Sequence, residues 1–331
     1  MLVSRYISLL ILFFSAILIS LSVGSTRSIG FFEVIDYLYD SGTEINTLII
    51  WNLRFPRLLA SLLTGSALGL SGALLQSLLR NSLAGPFLLG ISSGSGLMTI
   101  LAIIIGISAV YIPFFAWIGG MIASILVIFV ASVGSSKLTT QKLILIGVAL
   151  SSFLGAIQSI LLLGTEDSRI QIALQWLIGS LNAVNWEVIK PAGLMILTSI
   201  IASKFLLKKL DLLNLDEPTA INFGLNLSRS RLLVGIVATC LSSCAVSIGG
   251  LIGFVGLISP HTARLLIGSN QPSKIIPASS MLGAIFLSVA DTIARSYTEE
   301  LPVGAITALI GSPLFVFLLV HQSKKSAINQ S

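Results

Sequence analysis

The sequence predicts an all-α membrane protein of about ten transmembrane helices, and three observations carry that prediction. Only 10% of the 331 residues are charged, against 55% hydrophobic, where a soluble domain carries roughly 25% charge. Mean hydropathy is +1.00, and the shortage of charge extends along the whole chain. Apolar runs of spanning length, about 20 residues with roughly 17–25 tolerated, recur from one end to the other.

Taken in order, the first run (7–23) follows Arg5. It is longer than the roughly 7–15-residue apolar region of a cleaved signal, so it reads as a retained span. Further runs lie at 58–79, 87–108, 112–133, 143–163, 191–207, 275–294 and 303–321. Lys204, in the last turn of the sixth run, can snorkel to the interface. Leu232 to Ala263 is also free of charge. As one helix it would be about 48 Å long against a hydrocarbon core of about 30 Å. Gly249, Gly250, Gly253, Gly256 and Pro260 crowd its second half. The stretch therefore divides into spans at 232–248 and 250–268, the second opening on irregular glycine-rich backbone. Such backbone is tolerated at membrane depth only when buried in protein or lining a cavity. Ile170–Leu181 reads as a surface helix in a loop, and no loop has room for a soluble domain, so residues 1–331 form one transmembrane domain.

Ten spans place both termini on one side. With the N-terminus cytoplasmic, thirteen of the 19 Lys and Arg fall inside and ten of the 13 Asp and Glu outside, the known orientation bias. The chain has no Gly-Lys pair, hence no phosphate-binding loop and no nucleotide site of its own. Its histidines are His261 and His321 only, too few for a metal cluster. Cys240 and Cys244 share a helix face with no other ligand type nearby and read as packing. Asp291 is the one acidic residue inside a predicted span, a turn from Arg295, and reads as an ion pair closing that helix end. An ion-coupled secondary transporter is expected to hold ionisable groups in mid-membrane. The absence of such a group argues for energy supplied by another subunit; an ion-coupled secondary transporter is the rival class, and a purely structural membrane protein a third.

Several motifs occur in order. Arg54-Phe55-Pro56-Arg57 opens the second span, and Arg80-Asn81-Ser82-Leu83-Ala84-Gly85-Pro86 follows it. Trp176-Leu177-Ile178-Gly179-Ser180 lies in a loop. Gly253-Phe254-Val255-Gly256 leads to Pro260-His261 and Arg264, and Leu301-Pro302-Val303-Gly304 precedes the last span. From about Arg54 to Val320 the ordered set resembles the FecCD family, the membrane subunits of type II ABC importers for iron–siderophore complexes, haem and vitamin B12. Ser82 and Gly85 depart from the family's usual residues. The resemblance implies a vitamin B12 permease-like fold in the plasma (inner) membrane. It also implies a second permease subunit, two cytoplasmic subunits that bind the ATP, and an extracytoplasmic solute-binding protein. No cofactor of the chain's own, no metal and no nucleic acid enter that picture.

The resemblance also marks residues. Arg54 and Arg57, three apart on one helix face, join Arg295 as expected docking residues for carboxylates of the binding protein; interfacial anchoring is the plainer reading of the first two. Gly147, Ser151, Gly155 and Ser159 recur every four residues, with Gln158 beside them. That repeat serves small-residue helix packing and a smooth pathway wall equally. Asn81, Leu83, Thr140 and Gln141 match positions that narrow the cytoplasmic exit. The segment from Asp216 to Gly224 reads from its own residues as a short helix, capped by Asp216 and stopped at Gly224. In the family this loop contacts the ATPase, which marks Asp216, Glu217, Ala220, Ile221, Phe223 and Gly224 as coupling residues.

Overall fold

Helices account for nearly all of the regular structure in this computed structural model, which describes residues 2–23, 33, 45–133, 140–165, 167–182, 184–297 and 300–328. In chain order they are α1 (Leu2–Ser22), α2 (Ile45–Ile49), α3 (Phe55–Leu79), α4 (Ile91–Ile105), α5 (Ile112–Ser132), α6 (Thr140–Leu163) and α7 (Asp167–Ile178). There follow α8 (Trp186–Lys204), α9 (Leu207–Leu213), α10 (Glu217–Asn222), α11 (Leu227–Gly249), α12 (Val255–Ile267), α13 (Pro272–Ala294) and α14 (Val303–Ile328). Seven helices among the described residues are long and apolar enough to cross a membrane, and α4 and α14 contribute shorter apolar segments. The chain is a multi-helix membrane protein.

Several boundaries differ from the runs read in the sequence, and each difference has a local cause. Helix α8 starts at Trp186 rather than near Pro191, because the Asn185 side chain accepts from the amides of Glu187 and Val188 at 3.1 and 3.2 Å. That cap outweighs the proline, which the helix absorbs after its first turn. The run at 87–108 shortens to α4, because Gly90 and Gly106 take left-handed backbone at either end. Before α3, a π-helical turn over Ile50–Arg54 joins α2 to α3.

Helix α3 is the centre of the bundle and packs along α13, α11, α12 and α8. Its contact with α13 is backbone on backbone. Gly65 and Gly69 face Gly283 and Ser279 so closely that a Cβ on Gly65 would overlap the Gly283 carbonyl. Without a hydrophobic drive between helices in lipid, this approach supplies van der Waals contact instead. Leu68, Leu74 and Leu75 of α3 fill the core beside the seam, with Leu241 of α11 and Leu287 of α13.

The long apolar stretch breaks between α11 and α12. Gly250 has φ 69° and Phe254 φ 67°, so neither lies on a continuing helix. The exposed polar backbone finds partners in protein. The Gly250 amide donates to Val246 O at 2.8 Å, Ser180 N to Gly249 O at 3.0 Å and Gly304 N to Gly179 O at 3.0 Å. The Trp176–Ser180 motif at the end of α7 is thus the piece that ties this break to the start of α14. A Cβ on Gly250 would overlap the Trp176 carbonyl.

Replacing Gly65 by Val should force α3 and α13 apart. Overpacking of this kind costs about 1–3 kcal/mol or more; it is read as a lower melting temperature of the detergent-solubilised protein.

Candidate functional site

Two ends of the bundle carry chemistry. At the first, the C-terminal ends of α1 and α13 meet the start of α3. The Arg57 Nε donates to both oxygens of Asp291, at 2.9 and 3.2 Å, and its Nη1 donates to Glu300 Oε2 at 2.7 Å. Arg295 Nε lies 3.5 Å from Asp291 Oδ2. Its Nη2 donates to the Ser20 hydroxyl at 2.6 Å and to the Ser20 carbonyl. Arg54 Nη1 donates to the carbonyls of Leu21 and Ser22 at 2.7 and 3.2 Å. Asp291 is fully buried, and the three arginines are between 3% and 8% exposed.

The three arginines therefore face into the molecule. The sequence led us to expect them turned outward toward carboxylates of a binding protein. The structure instead engages Arg57 with the chain's own Asp291 and Glu300, and Arg295 with Asp291. Arg54 and Arg295 also satisfy carbonyls in the last turn of α1, which have no partner within that helix and carry its negative dipole end. Nothing in the sequence pairs Arg54 with a stretch some thirty residues earlier; the only local signal is that α1 ends on Ser20–Ser22.

The expected pathway residues of α6 divide between two faces. Ser151 accepts from Ser93 Oγ at 3.2 Å and Gln158 Nε2 donates to Ser93 O at 2.7 Å, so both, half-buried, turn toward α4, and Gly147 is buried. Ser159 is exposed and bonds back to Gly155 O, while Gly155 has open space where a side chain would stand. Around them Leu145, Phe153, Ile160 and Leu163 are exposed.

At the second end, Asn81 organises the loop after α3. Its Oδ1 accepts from Leu83 N at 2.9 Å and its carbonyl from Ala84 N at 3.1 Å, leaving the Leu83 side chain exposed. Gln141 is exposed in the first turn of α6; the side chain of Thr140 lies outside the described residues. Nearby, α10 is built by its cap. Asp216 accepts from the Thr219 amide at 3.1 Å and the Thr219 hydroxyl at 2.8 Å, and these bonds hold its carboxyl below the usual carboxylate range. Glu217 pairs with Arg231 of α11 at 2.7 Å, Ala220 is fully buried, and Gly224 closes the turn at φ 79°. Ile221 and Phe223 are left 56% and 67% exposed.

The model of the FecCD transport family matches residues 9–321. The chain belongs to that family. FecCD chains are membrane permease subunits of ABC transporters, whose ATPase resides on separate subunits. This FecCD chain is 38% identical over 283 residues to the Fe(3+)-citrate import system permease protein YfmE of Bacillus subtilis, covering 84% of this chain and 83% of that one. To the Fe(3+) dicitrate transport system permease protein FecC of Escherichia coli it is 37% identical over 276 residues, 82% of each. The hemin transport system permease protein HmuU of Yersinia pestis is 32% identical across 95% of this chain and 96% of its own length. Among solved structures, an inward-facing ABC transporter assigned to the metal-chelate type superposes with a TM-score of 0.84 at 32% identity, over 97% of this chain and 99% of that one.

Replacing Arg57 by Ala leaves the buried Asp291 with Arg295 alone. Removing one partner of a buried pair costs about 3–5 kcal/mol. Arg57→Ala should therefore melt well below the parent, and Arg57→Ala combined with Asp291→Ala should recover part of the loss; additive losses in that cycle would show that the pair is not coupled.

Proposed function

We propose that this permease imports an iron–siderophore complex across the plasma membrane, driven by ATP hydrolysed on its partner subunits, with both termini cytoplasmic. The observation that carries the iron reading is similarity along more than four-fifths of the chain to permeases named for ferric citrate in two different bacteria. Haem or cobalamin import by the same mechanism is the second reading, favoured by the hemin relative and by a cobalamin permease protein of Halobacterium salinarum at 34% identity. The exposed apolar side chains of α6 favour a second permease subunit packed there, which would enclose a shared pathway past Gly155 and Ser159. A solute-binding protein on the arginine end completes the importer. Since Arg54, Arg57 and Arg295 are engaged within the chain, they support its docking by holding that surface in shape.

Cells lacking the gene should lose accumulation of radiolabelled ferric chelates and regain it with the gene restored. Depleting ATP should abolish uptake, and collapsing the proton gradient at constant ATP should leave it. Uptake that follows the gradient would overturn the ABC mechanism, and restored haem or cobalamin uptake without ferric chelate uptake would select the second reading.

Energy in such an importer arrives through a protein contact, and α10 is our candidate for it. Its charged end is held by Glu217–Arg231, whereas Ile221 and Phe223 stand exposed. Buried aromatic anchors dominate most interfaces, so the groove of an ATPase subunit is the surface that would cover Phe223. Phe223→Ala should reduce ATPase co-purification, or substrate-stimulated hydrolysis, by about tenfold with membrane insertion unchanged. Both at parental levels would remove α10 from coupling.

A further inference from the structure

The end of α3 away from the arginine cluster borders a polar cavity of about 250 Å³. Its wall comes from four segments: Gln76 and Arg80 at the end of α3, Asn81 and Ser82 in the following loop, Asn214 after α9, and Arg264 on α12. The first turn of α13 closes it, and none of the residues lining it is acidic. Asp211 of α9 is turned onto α13 instead, accepting from Ser273 N at 3.0 Å and Gln271 Nε2 at 3.4 Å.

Two buried donors in this wall have no acceptor among the described residues: Gln76 Nε2 and Arg264 Nη1. The cause is local. Arg264 Nη2 donates to Gln76 Oε1 at 2.6 Å, which fixes the amide with its Nε2 as the outstanding donor. Gln76 is only 3% exposed. Arg80 lies at the outer edge, where its Nη2 donates to the carbonyls of Leu213 and Leu215 at 2.7 and 2.5 Å. The residues lining the cavity thus carry two guanidinium groups, four primary amides and two serine hydroxyls. A donor left unmet in a buried site is costly, and a guanidinium there calls for negative charge as well as acceptors. Water supplies acceptors without charge. A tetrahedral oxyanion supplies both, and the cavity volume falls below the roughly 300–1,000 Å³ of sites for drug-sized ligands.

We propose that this cavity binds a phosphate-class oxyanion, held by Arg264 and Gln76 at its floor and by Arg80, Asn81 and Ser82 at its rim. Free phosphate and the headgroup of an anionic lipid present the same oxygens. Neither source depends on what the permease carries.

The full-length chain in phosphatidylcholine nanodiscs is melted with and without inorganic phosphate, with chloride matching the ionic strength. In a second arm, nanodiscs containing phosphatidylglycerol are used without phosphate. Occupancy should raise the melting temperature by about 2–4 °C. A rise with phosphate in neutral discs assigns the free ion, and a rise only with phosphatidylglycerol assigns the headgroup. Arg264→Gln should abolish either rise. Ser82→Asp, in a loop outside the core, supplies an internal carboxylate; it should raise the basal melting temperature and abolish the response too. No rise in either arm, or a rise that survives both variants, overturns the site.

Discussion

The carboxylate of Asp291 is the constraint on which the rest of the bundle depends. Fully buried, it stands between the guanidinium groups of Arg57 and Arg295. An unpaired ion there would be expelled or neutralised. The pairing holds the start of α3 against the end of α13, and so sets where the glycine seam between them can begin. Gly65 and Gly69 then lie against the backbone of Gly283 and Ser279, where a Cβ on either glycine would overlap a carbonyl. Arg295 and Arg54 extend the same network to the carbonyls ending α1. One acid therefore sets three helices.

The break between α11 and α12 depends on a second rule, that backbone at membrane depth must find its partners within protein. The chain meets it with loop backbone rather than with side chains: Ser180 serves Gly249, and Gly304 serves Gly179. This explains why a motif in the middle of the chain and another near its end belong with a break that neither adjoins in sequence.

Much of this was legible in the sequence, because bilayer physics writes itself into run length and charge. The apolar runs anticipated spanning helices, glycine crowding after Gly249 anticipated irregular backbone, and Asp216 with Gly224 bounded α10 within one residue of its start and two of its end. The orientation of side chains was not legible. Arg54 and Arg57 read as surface groups because a helix face looks the same from sequence whether it meets water or another helix, and the partners of Arg57 lie more than 200 residues away. For α6 the four-residue repeat was ambiguous by nature: Ser151 and Gln158 meet Ser93, whereas Ser159 does not, a distinction made by α4 rather than by α6. The donors at Gln76 and Arg264 were hidden for the same reason, since their pairing joins residues 188 apart.

The distance between Arg57 and its acid has a consequence for how the protein is made. Asp291 is translated 234 residues after Arg57, and Glu300 later still. Through most of synthesis the start of α3 carries a cation whose native partners, Asp291 and Glu300, have not yet been made. A chain stopped between Arg57 and Asp291 therefore holds this arginine without the carboxylate that pairs with it in the folded protein. The ion pair that fixes the start of α3 is thus a late event of synthesis, which can form only once α13 has been made.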